Sequence, residues 1–278
     1  MGVGMSGPGA RGPRAAGQAA AIAVAALFLL PLVLLVAGSL REVGPAAPVP
    51  DLLPARPTLE NYGRAFELVD LARQTWNSTM VALAVVPLSV AVAAAAGFAI
   101  ARLPTVPRRV MVGLSLAATM IPLSMLIVGR FTVFRSLGIT DSYLPLIATA
   151  LIGGSPFNVL LFYVAFRRMP SEVFDAARLD GASSAGMLVR VGLPGARNVT
   201  LAVAVLAFAA SWGNVLEPLV YLSDEDLYTL PLGLRSLATL DLPNQPIMLA
   251  GAVLSFIVPL VLLLVVQRRF TADRSELG

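Results

Sequence analysis

The chain has 278 residues, 57% hydrophobic and only 13% charged, with a formal net charge of +4 and a mean hydropathy of +0.82. Soluble domains carry about a quarter charged residues, so the composition points to a chain built for a bilayer. Cys, His and Lys are absent and all 20 basic residues are Arg, which excludes thiolate nucleophiles, Ser-His relays, ordinary zinc sites, lysine-dependent phosphate loops and Schiff-base chemistry.

Residues 1–17 are rich in Gly, Pro and Ala, carry Arg11 and Arg14, and read as a disordered cytoplasmic lead. Residues 18–40 hold no charge; at about 1.5 Å per residue they can cross a core of about 30 Å. The run is long for the apolar region of a signal peptide and further spans follow, so it reads as a first transmembrane helix. Residues 41–75 contain many Pro and five acids, and suit an external loop with some helix around 59–68.

The remaining core, 76–269, opens with a second span at 76–101, beginning on Trp76-Asn77-Ser78. Arg102, Arg108 and Arg109 make a short basic loop before a third span at 110–129. A fourth span covers 143–166, a polar loop 167–197, and a fifth span 198–222. An acidic loop with Asp224, Glu225 and Asp226 precedes the sixth span at 247–266, and 270–278 is a short charged cytoplasmic tail. With both termini in the cytoplasm, 13 of the 20 Arg fall inside and 7 outside, the bias expected of a cell-membrane protein. The same bias explains the basic pI without nucleic acid. The predicted class is therefore an all-α, multi-pass membrane protein of about six transmembrane helices. Interruptions are expected at Pro87, at Pro122, and at Gly153-Gly154 with Pro156, where freed backbone groups should face protein or a watery cavity.

The most informative stretch is the polar loop. Ser171 reads as an N-cap, Glu172 and Asp175 fall in the first turn where the helix dipole favours acids, and Gly181 is a natural stop. These signals predict a short helix over 172–180, with a weak i,i+3 pair between Asp175 and Arg178. A second helix, 183–191, is expected to end at Gly192 and Pro194. A helix this short is unstable alone; it packs on its own bundle or seats in a partner's groove, and the residues leave both open.

The segment resembles the signature loop of binding-protein-dependent ABC importer permeases: Glu-Ala-Ala, three residues, Gly, nine residues, Ile, any residue, Leu-Pro. Here it reads Asp175-Ala176-Ala177, Gly181, Val191, Leu193-Pro194, with every spacing kept over twenty residues. Asp175 replaces Glu and Val191 replaces Ile. The wording Ala176 to Ala182 is similar to the carbohydrate-uptake branch, the maltose/glycerol-phosphate type, as are Ser211-Trp212-Gly213-Asn214 and Tyr228 to Leu234. The tail from Phe270 departs from the family pattern, so no contact is carried over there.

The resemblance implies a coupling helix lying in the cytoplasm between spans four and five. Its residues are Glu172, Val173, Phe174, Asp175, Ala176, Ala177, Arg178, Leu179, Asp180, Gly181 and Ala182. It also implies a separate ABC ATPase subunit that binds the ATP and Mg, a second permease subunit forming a heterodimer, and an extracytoplasmic solute-binding protein. This chain would bind no cofactor itself and would form the path for a sugar or oligosaccharide, or alternatively a polyol or glycerol phosphate. A self-sufficient secondary transporter is disfavoured, because Glu217 is the lone acid read within a span. Polar residues inside spans are functional suspects, which makes Asn158, Trp212, Asn214 and Glu217 candidate path residues. Interhelical hydrogen bonding and interfacial solvation are the alternative roles.

Overall fold

The computed structural model describes residues 12–44, 54, 56–151, 155–238 and 244–265, and the regular elements among them are helices. Of the disordered lead expected at 1–17, residues 1–11 lie outside the described residues, as does the tail at 270–278, while 12–17 are helical and open the first helix. The chain divides into two compact units, Met1–Val69 with Ser236–Leu254, and Asp70–Arg235 with Ser255–Gly278.

In the first unit, α1 (Gly12–Ser39) is a 28-residue helix that exposes large apolar side chains, Phe28 at 76% among them. Such a surface suits lipid rather than water. The predicted loop helix is present as α2 (Glu60–Leu68), and it finishes the end of α1. The buried Asn61 amide donates to the carbonyls of Ser39 at 2.7 Å and Arg41 at 2.6 Å, groups of the kind a helix C-terminus leaves without partners. Ser39 Oγ and Tyr62 Oη lie 2.7 Å apart.

The second unit is built on α3 (Leu71–Arg102), 32 residues long. It begins five residues before the expected start at 76 because Asp70 caps it, its Oδ1 accepting from the Arg73 N–H at 3.0 Å. The helix passes through Pro87, so no break occurs there; packing against neighbouring helices offsets the single missing donor. Pro122 behaves differently. The third span is split into α4 (Thr105–Thr119) and α5 (Leu123–Ser136), bent by 95°, since proline ends the ladder and biases its predecessor away from helix.

The fourth span is described at its ends as α6 (Leu144–Leu151) and α7 (Pro156–Arg168). The break expected at Gly153-Gly154 lies outside the described residues, while Pro156 occupies the first turn of α7, where its missing N–H is harmless. Gly97 lets α3 and α7 approach closely. A Cβ there would lie 2.7 Å from Phe162 Cβ and 2.8 Å from the Tyr163 nitrogen.

The polar loop forms α8 (Ser171–Leu179), α9 (Ser184–Met187), a π turn at Leu188–Gly192, and α10 (Leu193–Gly195). The last three run on as one helix past Gly192 and Pro194, contrary to the stop expected there. In the widened turn the Leu193 N–H donates to the Leu188 carbonyl, which gives the proline ring room that a regular α-turn lacks.

An 89° bend leads into α11 (Arg197–Trp212). The fifth span is not continuous either, resuming only as α12 (Leu216–Tyr221). A 3-10 turn at Glu225–Leu227, α13 (Leu230–Ala238) and α14 (Gln245–Ser255) follow. By length and composition Ala20–Ser39, Leu71–Arg102, Leu144–Arg168 and Gln245–Val265 can each cross a bilayer, and the two bent pairs raise the number to as many as six.

Candidate functional site

Two features of the second unit bring the sequence-predicted residues together. The first is α8. It starts at Ser171, preceded by Pro170, whose side chain makes no cap; Ser171 is thus the first helical residue rather than the N-cap. Its end follows the sequence closely. Gly181 has φ +80°, a left-handed conformation that glycine adopts without strain. The Gly181 N–H donates to the Arg178 carbonyl at 3.0 Å and the Ala182 N–H to the Ala177 carbonyl at 2.9 Å. Those paired bonds are the Schellman closure, and they give the signature glycine its physical reason.

One side chain anchors α8. Phe174 is buried against Phe98, with ring centroids 5.7 Å apart, and Phe98 meets Phe166 edge-on at 5.4 Å. The Arg102 guanidinium lies 4.2 Å from the Phe98 ring centre and 4.5 Å from that of Phe174, a cation–π contact on both. Ala177 and Ala182 are half-buried beside this cluster. Glu172, Val173, Asp175, Ala176, Arg178, Leu179, Asp180 and Gly181 are exposed. Asp175 and Arg178 stand 3.8 Å apart on that surface, a pair of little energetic weight. Val173, Ala176 and Leu179 share one outer face by their i,i+3 spacing, and Leu179 is 89% exposed.

The second feature is a cavity of about 430 Å³. Asn158, Asn214 and Glu217 all line it. Glu217 is buried and holds two partners: Arg130 Nη1 donates to Oε1 at 3.2 Å, and Asn214 Nδ2 donates to Oε2 at 2.8 Å. The Asn214 side-chain Oδ1 accepts from the Glu217 N–H at 3.2 Å, fixing the first turn of α12. Trp212 does not line the cavity. It is buried, donates its indole N–H to the Ser255 carbonyl at 3.2 Å, and stacks on Phe208 with centroids 5.4 Å apart.

Arg130, Ser89, Thr149, Ser211 and Thr229 also line the cavity and were not foreseen. Arg130 belongs to α5, not to an outer loop. Its position within an apolar run was the available signal, since an intramembrane arginine needs a partner.

The acidic loop is fastened from two sides. Asn77 Nδ2 donates to the carbonyls of Asp226 at 2.8 Å and Tyr228 at 3.0 Å, and Ser78 Oγ accepts from the Leu230 N–H at 2.8 Å. Arg73 pairs with Asp226. The Asp141 carboxylate accepts from the backbone N–H groups of Asp224 and Ser223, both at 2.9 Å, bonds that hold its pKa below the usual aspartate value. Tyr221 is buried edge-on to Phe134 at 5.4 Å.

Helices broken around a cavity of mixed polar and apolar lining, with a short glycine-stopped helix in one loop, are the build of a helical membrane permease. The chain belongs to the binding-protein-dependent transport system inner membrane component family, whose model matches residues 86–275. It is 32% identical to the arabinooligosaccharides transport system permease protein AraQ of Halalkalibacterium halodurans, covering 81% of this chain and 80% of that one. It is 29% identical to the sulfoquinovosyl glycerol transport system permease protein SmoH of Agrobacterium fabrum, covering 81% and 79%. The fold matches a chain of a bacterial ABC transporter involved in the import of the acidic polysaccharide alginate. The TM-score is 0.76 at 20% identity, over 95% of this chain and 100% of that one.

Proposed function

We propose that this chain is the permease subunit of an ATP-binding-cassette importer for a sugar or oligosaccharide. The carrying observation is the form of α8, held to its own bundle by Phe174 while Val173, Ala176 and Leu179 stay exposed on one face. A helix of nine residues that shows leucine to water is explained by a partner's groove. That partner is a separate ATPase subunit, which binds the ATP and Mg and closes on ATP. Its motion works on α8 because the two states of the bundle hold the ATPase differently. A second permease subunit completes the path, and a solute-binding protein delivers the cargo on the face opposite α8. Both termini and α8 are then cytoplasmic.

The cavity at Asn158, Asn214 and Glu217 is this subunit's share of the path. Hydroxyl and amide groups line it together with apolar side chains, a mixture suited to the polar edges and apolar faces of sugars. The saccharide reading is supported by the relatives named for arabinooligosaccharide and sulfoquinovosyl glycerol transport.

The direct test is co-expression with the candidate ATPase and replacement of Leu179 by Asp. The exposed position predicts unchanged membrane insertion and loss of ATPase co-purification. Retained co-purification and ATP-dependent uptake in that variant would remove the docking role of α8.

A further inference from the structure

The cavity carries an electrostatic feature that bears on which saccharides pass. Among the described residues, its charged lining groups are Arg130 and Glu217, and they are paired with each other at 3.2 Å. Asn214 adds a second donor to the same carboxylate. The guanidinium is therefore committed to a carboxylate that is itself 6% exposed, and the charges lining the cavity sum to zero.

Two other lining groups are poised for a ligand. Thr229 is 5% exposed, and its hydroxyl is buried without a hydrogen-bond partner. Asn158 is 4% exposed; among the described residues its side-chain amide makes no hydrogen bond, while it lines the cavity. Buried polar groups left this way need a partner, and a sugar hydroxyl can both donate and accept.

We infer that the Arg130–Glu217 pair is a charge filter that selects neutral, hydroxyl-rich cargo over anionic saccharides and phosphate esters. The inference rests on the proposed sugar path. An anion entering the cavity meets a carboxylate and a guanidinium already paired to it, whereas a neutral sugar meets hydroxyl and amide groups and cancelled charges. Selectivity of this kind comes as much from what repels the wrong cargo as from what holds the right one. Removing the carboxylate while keeping the arginine inverts the arrangement, because a released guanidinium is a strong anion site.

The test uses the assembled complex of both permease subunits and the ATPase, purified without binding protein so that the permease's own preference is read. Equilibrium binding is measured for a panel of neutral trisaccharides and for the uronic acid counterpart of the best binder. The wild-type complex is expected to prefer the neutral sugar, E217Q to lose roughly tenfold or more of that preference, and R130Q/E217Q to regain it. Equal binding of neutral and uronate sugars by wild type overturns the inference, and that comparison does not depend on the folding of any variant. An unchanged ratio in folded E217Q overturns it too. Absence of binding to every saccharide defeats the sugar-path reading itself, a result distinguishable from both.

Discussion

Asn77 and Asp141 do the same work from opposite sides of the acidic loop, and each supports a prediction at the scale of a single side chain. The Asn77 amide serves two carbonyls, those of Asp226 and Tyr228. Asn77→Ala leaves both without that donor and is expected to lower stability by about 1–3 kcal/mol, read from thermal unfolding in detergent. A melting temperature equal to wild type would show that the loop does not depend on the amide. Asp141 adopts φ +59°, and its carboxylate accepts from Asp224 and Ser223, which depresses its pKa. A depressed folded-state pKa gives stability that is present above the unfolded value and lost as pH falls through the folded one. Protection of amides in the 223–226 loop from hydrogen exchange should therefore fall in acid, below the ordinary aspartate range. Asp141→Asn should flatten that dependence.

Legibility differed residue by residue for physical reasons. Asn158, Asn214 and Glu217 stood out because polar groups in apolar runs need an explanation, and the cavity supplies one. Arg130 was assigned to a loop by a topology that ended the third span too early; α5 runs on to Ser136 and brings Arg130 to the cavity. Trp212 was a candidate path residue for the same reason as Asn158, yet its indole N–H is satisfied by a backbone carbonyl brought near only by the fold.

At the scale of an element, α8 carries two opposed expectations. Phe174→Ala removes the anchor between α8 and the Phe98–Phe166 cluster, and loss of a buried phenylalanine costs about 3–5 kcal/mol. The variant should show a lower melting temperature and faster proteolysis near Ser171, whether or not an ATPase is present. Leu179→Asp should leave both unchanged and impair only partner binding. If both variants behaved alike, anchor and docking face would not be separable. Gly181→Val is a third probe. Its left-handed backbone penalises a β-branched residue by about 1–2 kcal/mol, so thermal unfolding should shift down while Gly181→Asn is tolerated better.

The stop of α8 was readable because a glycine at the right spacing has a local cause. The continuation of the next helix through Pro194 was not, since a π turn has no local signature in these residues. Helix α3 passing through Pro87 is the same lesson in the other direction. A proline states what the backbone lacks, and the surrounding packing decides whether the helix ends.

For the whole molecule, hydropathy located the apolar runs but not their geometry. The interruption at Met120 to Pro122 follows the expectation at its proline, whereas the break between Trp212 and Leu216 was not foreseen; both adjoin helices that contribute to the cavity. The class of molecule was legible because twenty residues of loop keep the family spacing, and the family match over 86–275 bears it out. The cavity was not legible in the sequence, because its lining depends on side chains from α3, α5, α6, α7, α11 and α12 meeting in space.

On the proposed mechanism this chain moves solute only when an ATPase acts on it. Uptake of labelled oligosaccharide into proteoliposomes decides this, measured with and without the ATPase, the second permease and the binding protein. The complete assembly should accumulate sugar only with ATP and show ATP hydrolysis stimulated by the loaded binding protein. Accumulation by this chain alone, with no ATPase present, would contradict the account.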